Sequence, residues 1–263
     1  MVRNRYILPL VNIVGLVLVL VMNGLANALP INGVTTGGVS DSYGNLFVPA
    51  GFTFSIWGVI YLLLTAFAVY QWRAARQAND IFVTHIGPWF FISCLANAGW
   101  ILAWHYRLLP LSLAIMLVLL ASLLTIYLRL GIGMRRATRG QKWLVYVPFS
   151  VYLGWITVAT IANVSAVLTS IQWGQWGLSS QFWTVAVISV GVLIALAMAF
   201  RKGDLFFCLV VVWALLGILL KRMGDTVTPD RAVEIAAIAG MALVGLAVLL
   251  LLARKRVYHS IPT

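Results

Sequence analysis

The chain has 263 residues, of which 62% are hydrophobic and 9% charged, with a mean hydropathy of +1.00; a globular protein carries about a quarter charged residues, so a soluble domain is excluded. The net charge of +12 does not point to nucleic acid, because the 18 basic residues fall in short clusters between apolar runs, as at the ends of membrane helices. Cys94 and Cys208 both lie inside apolar runs, with no C-x-x-C or Cys/His grouping, and read as packing residues rather than zinc ligands or a redox pair.

Crossing a bilayer takes about 20 apolar residues in helical form. Eight runs near that length follow one another: Ile7 to Ala28, Phe52 to Trp72, Ile86 to Tyr106, Leu111 to Leu130, Trp143 to Leu168, Phe182 to Phe200, Leu205 to Leu220 and Ala232 to Ala253. The seventh is the shortest. The expected fold is all-α, a polytopic transmembrane bundle of about eight helices. Arg3 and Arg5 before the first run, with Ala26-Asn27-Ala28 at its end, also fit a cleaved secretory signal, but the apolar stretch is longer than a signal core and favours a retained helix.

The connections differ in character. Residues Leu29 to Ala50 are rich in Gly, Ser, Thr and Asn, with Asp41 as the single charge, and are too long for a minimal turn; they are expected to fold over the helix ends as a lid. Residues Arg129 to Lys142 carry five basic side chains in a short connection, suited to anionic lipid headgroups. Counted over alternate segments, only Arg107, Lys221, Arg222 and Arg231 fall on one side. Every other Lys and Arg falls opposite, which predicts cytoplasmic termini in a plasma or inner membrane and an outer 29–50 loop. Small residues recur every four positions at Gly191, Ala195 and Ala199 and at Ala232, Ala236 and Gly240, as expected for close helix packing within one chain or in a homodimer.

None of the six acidic residues lies in the middle of a run, unlike the pattern of proton- or ion-coupled carriers. Glu234 is expected in the first turn of the eighth helix, after Thr228 and Pro229, paired with Arg231. His85, His105 and His259 sit at helix ends or in the tail without a carboxylate or cysteine partner, so a hydrolytic triad is not expected. His105 reads as an interfacial histidine in preference to an axial ligand of an iron porphyrin.

Aromatic and amide residues inside the runs form one constellation. Trp57 and Tyr61 are four apart, Asn97 and Trp100 three apart, and Tyr152 and Trp155 three apart with Asn163 two turns on; each set can share a helix face. At 1.5 Å per residue, Trp57, Asn97, Trp100 and Trp155 lie within roughly 5 to 20 Å of the outer surface. An asparagine in hydrocarbon needs a partner, on a neighbouring helix or on something bound between helices. Two readings fit the spacing: helix packing, and an outward-opening aromatic cavity for a flat hydrophobic ligand. Trp72, Trp104, Trp143, Trp173, Trp176 and Trp183 read as an interfacial belt.

These residues resemble the tryptophan-rich sensory protein family, which includes TspO and the mitochondrial translocator or peripheral benzodiazepine receptor. The resemblance covers about Pro49 to Val167 and rests on Pro49 with Phe54, Trp57 and Tyr61, on Leu95-Ala96-Asn97-Ala98-Gly99-Trp100, and on Tyr152-Leu153-Gly154-Trp155 with Asn163. It implies a five-helix bundle over residues 1–170, including the 29–50 loop, that binds porphyrin, heme or related hydrophobic ligands near Trp57, Tyr61, Asn97, Trp100, Tyr152, Trp155, Ala159 and Asn163. Three further helices and a basic cytoplasmic tail, 171–263, have no counterpart in that five-helix fold. Ser55 and Ile56 stand where the family carries a proline before Trp57, and no sterol motif follows Asn163. The expected function is a membrane receptor or sensor for a planar hydrophobic molecule, with membrane lipids around it and no nucleic-acid partner. A transporter or permease component for a hydrophobic solute is the alternative, and light-driven porphyrin degradation is a remoter, enzymatic one. No cofactor or metal is firmly implied.

Overall fold

A computed structural model describes residues 5–77, 81–225 and 230–259, with side chains to residue 253. Arg3, Thr228 and Pro229, and the tail side chains of Arg254, Lys255, Arg256 and His259, used in the sequence reading, lie outside the described residues or side chains. The fold is an all-α bundle. Its long helices are α1 (Ile7–Ala28), α2 (Ile56–Arg76), α3 (Trp89–His105), α4 (Leu109–Leu130), α5 (Val147–Ser170), α6 (Ser180–Lys202), α7 (Leu205–Gly224) and α8 (Arg231–His259).

Seven of these are long and apolar enough to cross a membrane, and the chain is a multi-pass membrane protein. The short member is α3 rather than the seventh run. Gly87, at φ +56, and Pro88 split the third expected run into a short helix, Ile81–Ile86, and the 17 residues of α3. Proline cannot continue a preceding helix without clashing with it. The seventh run extends to a full 20 residues because its polar last turn, Lys221 and Arg222, stays helical.

Packing joins consecutive helices and also several that are not consecutive. Helix α1 lies against α2 and α3, α3 against α4, and α4 against α5, while α6, α7 and α8 pack on one another. Helix α5 joins the two groups, touching α2 on one side and α7 on the other, and is buried along most of its length. Gly154 permits this: a carbon added there would stand 3.2 Å from Val210 Cβ and 3.4 Å from the Phe207 backbone of α7. Gly240 of the second small-residue stripe, on α8, packs within the chain, since a carbon on it would meet Val192 of α6 at 2.8 Å and Leu215 of α7 at 3.1 Å.

The tight α6–α7 joint is built by Gly203, left-handed at φ +62, and Asp204. Asp204 Oδ1 accepts from the Phe207 backbone N–H, capping α7. Its Oδ2 accepts from Tyr127 of α4 at 2.8 Å and from Ser150 of α5 at 2.7 Å, so one buried carboxylate pins three helices. Glu234 stands in the first turn of α8 and accepts from Arg231 at 3.0 Å. Cys94 and Cys208 are buried free thiols.

Candidate functional site

The 29–50 segment is an ordered cap strapped between α3 and α7. It holds a 3-10 turn, Ile31–Gly33, and a short helix, Thr36–Asp41, and buries Val39, Phe47 and Val48. On the α3 side, Trp104 Nε1 donates to the Thr36 carbonyl at 3.1 Å and Asn32 Nδ2 to the His105 carbonyl at 3.0 Å. His105 is fully buried; its Nδ1 donates to Ile101 O at 2.8 Å, leaving Nε2 facing Thr36 Oγ1 at 3.5 Å. On the α7 side, the Ala50 N–H donates to Gly217 O at 2.9 Å, Trp213 Nε1 to Thr53 O at 3.0 Å, and Lys221 pairs with Asp41. That ion pair is half exposed and contributes at most about 1 kcal/mol, so the two bonds to backbone carbonyls are the firmer strap. Burial raises the pKa of the Tyr43 phenol, which lies beside Trp104, against an opposing effect of Arg107.

Trp104 and His105 therefore correct the sequence reading. Neither faces an interface: Trp104 is buried, stacked on Trp100 at 5.6 Å, and lines a chamber under the cap. Both nitrogens of His105 face protein atoms, so it is no free axial ligand. Their positions at a helix end look interfacial until a loop covers that end.

The chamber is walled by Trp57, Trp100, Trp104, Trp155, Ala159 and Asn163, roofed by Ser40, Phe47, Pro49 and Phe54, and closed on the far side by Ala214 and Ile218 of α7. Trp57 is its hub, with ring centres 6.3 Å from Trp100, 6.2 Å from Tyr152 and 6.1 Å from Trp155. The chamber's volume is about 40 Å³, far below the roughly 300–1,000 Å³ of sites for drug-sized ligands. A planar macrocycle does not fit it in this closed form. Trp155 is buried, and its indole N–H has no protein partner.

On the other face of Trp57 an open cleft of about 500 Å³ runs between α1 and α2. Trp57 and Phe54 line both cavities. Tyr61, stacked on Trp57 at 5.5 Å, lines the cleft with Asn23, Asn27 and Ser55. Gly24 and Gly58 border it, with nothing within 4 Å of where a side chain would begin.

The amides divide by role. Asn23 of α1 donates to Asn97 Oδ1 at 3.0 Å, and Asn97 Nδ2 to Tyr152 Oη at 2.8 Å, tying α1, α3 and α5. Asn97 and Tyr152 border neither the chamber nor the cleft. Asn163 borders the chamber, but its carbonyl accepts from Trp100 Nε1 at 3.1 Å and its amide donates to Ser112 at 3.0 Å. Helix packing thus occupies the amides, while Trp57, Trp100, Trp155 and Ala159 form the chamber wall. Sequence reasoning missed Asn23, whose amide in an apolar run was a readable signal, and Ala214 and Ile218, which carry none. Among the described residues no group of His, Cys, Asp and Glu could hold a metal ion.

No curated protein and no solved structure matches the chain. A family model described as TSPO-like protein matches residues 9–251, a span that runs from within α1 through α7 and into much of α8. With that match over most of its length, the chain belongs to the TSPO-like protein family.

Proposed function

We propose that the protein is a membrane receptor or sensor whose ligand is a planar hydrophobic molecule of the porphyrin class. The ligand lies in the α1–α2 cleft against Trp57 and Tyr61 and reaches the chamber when Trp57 and Phe54 shift. The observation that carries this reading is the sharing of Trp57 and Phe54 by a closed chamber of about 40 Å³ and an open cleft of about 500 Å³. Of these two, the cleft has the volume expected of a ligand site. The unpartnered Trp155 N–H supplies a donor for one acceptor on the ligand edge. Membership of the family supports a receptor rather than an enzyme, and the charge distribution supports an outer cap and cytoplasmic termini.

Titration of the purified protein with protoporphyrin is expected to quench its tryptophan fluorescence saturably. Trp155→Phe removes the unpartnered donor together with part of a buried ring packed on Phe54 and Trp57, so affinity should fall about three- to tenfold, for a bond worth roughly 0.5–1.5 kcal/mol, with some loss of thermal stability from the lost packing. Gly24→Leu with Gly58→Leu fills the cleft from two open positions and should slow association at least about tenfold. Wild-type affinity and rate in both variants would remove the basis of the proposal.

A further inference from the structure

At the end of the bundle away from the cap, a third cavity of about 440 Å³ lies between the α4–α5 connection, the residues leading into α5 and the α6–α7 joint. Each of these three segments contributes one cation to its lining: Arg135, Lys142 and Lys202. None of the three forms an ion pair among the described residues. Lys202 is the most informative. It is half-buried, and its Nζ rests 2.9 Å from Met134 Sδ, a thioether that is a weak acceptor and leaves the ammonium charge uncompensated.

The remaining chemistry favours an anion. Asp204 is the one acid on the lining, and its oxygens already accept from Tyr127, Ser150 and the Phe207 N–H. The first residues of α7, Leu205 and Phe206, also border the cavity, so the N-terminal end of one helix, capped by Asp204, lies beside it. The rim is built rather than incidental. Gly133 at φ +81 presses so closely on the end of α6 that a Cβ there would fall 2.1 Å from Lys202 O.

We propose that this cavity is a binding site for a phosphate-bearing anion, the headgroup of an anionic phospholipid or free phosphate, held between Lys142, Lys202 and Arg135. This differs from the diffuse attraction of a basic loop to a charged surface, which depends on the number of cations and not on their position. Arg73 and Arg76, exposed in the last turn of α2, provide the position control because they do not line the cavity.

The test uses the full chain in nanodiscs of phosphatidylcholine with and without phosphatidylglycerol, and in zwitterionic micelles with inorganic phosphate or chloride at equal ionic strength. Thermal midpoints and lipid retained in native mass spectra are read for wild type, Lys142→Gln with Lys202→Gln, and Arg73→Gln with Arg76→Gln. The expected result is stabilisation of wild type and of the control pair, with affinity weakened roughly tenfold or more in Lys142→Gln with Lys202→Gln. Protection by phosphatidylglycerol alone identifies a lipid headgroup, and protection by inorganic phosphate identifies a free anion. Equal losses in the two double variants, undiminished binding in Lys142→Gln with Lys202→Gln, or no stabilisation of wild type by either probe overturns the proposal.

Discussion

Replacing Asp204 by alanine is expected to destabilise the protein by about 3 kcal/mol, because an orphaned buried donor costs roughly 1–3 kcal/mol and a lost helix cap about 1 kcal/mol. Three donors are stranded at once: the Tyr127 and Ser150 hydroxyls and the Phe207 N–H. The site borders the 440 Å³ cavity, so solvent reaching it offsets part of the summed cost. Asp204→Asn should lie between, since its amide keeps one accepting oxygen where the carboxylate has two. Denaturation in mixed micelles measures both. A loss under about 0.5 kcal/mol for Asp204→Ala, the range of ordinary surface substitutions, would mean that the carboxylate does not join α4, α5 and α7.

Gly217→Ala has the second large effect, and it acts on the cap. An added carbon would stand 2.0 Å from Thr53 Oγ1, 2.9 Å from Thr53 Cγ2 and 3.0 Å from Pro49 Cβ. Thr53 is fully buried and cannot turn away from both contacts. The Ala50–Gly217 and Trp213–Thr53 bonds that strap the cap to α7 must then lengthen or break. Overpacking of this kind costs typically 1–3 kcal/mol. Here the strain falls on one joint, so the variant should show faster hydrogen exchange across residues 47–55 and faster protoporphyrin association. Unchanged exchange there would show that α7 does not hold the cap.

Much of the fold is readable in the amino-acid sequence because lipid leaves the backbone few alternatives to helix. The first run matches α1 at both ends, Ile7 and Ala28. The break at Gly87–Pro88 was also written in the residue types, but an apolar run reads through a single glycine and proline unless their punctuation is weighed against length. The aromatic wall was legible at Trp57, Trp100 and Trp155, since their helical spacing sets shared faces. The amides were legible only as residues needing partners. Asn97 finds Asn23 and Tyr152, and Asn163 finds Trp100 and Ser112, so the need is met inside the bundle.

The contribution of α7 could not be read. Ala214 and Ile218 look the same whether they face lipid or a chamber, because packing between membrane helices gives no hydrophobic contrast. Reading 171–263 as a separate addition also hid what α7 does. It supplies a chamber wall, holds the cap through Trp213, Gly217 and Lys221, and through Asp204 anchors the opposite end.

The most direct measurement is a structure determined with protoporphyrin bound. The account predicts the macrocycle in the α1–α2 cleft, one face on Trp57 and Tyr61, with Phe54 displaced and an acceptor within hydrogen-bond distance of Trp155 Nε1. A macrocycle seated elsewhere on the bundle, with Trp57 and Phe54 unmoved and the chamber still closed, would contradict it.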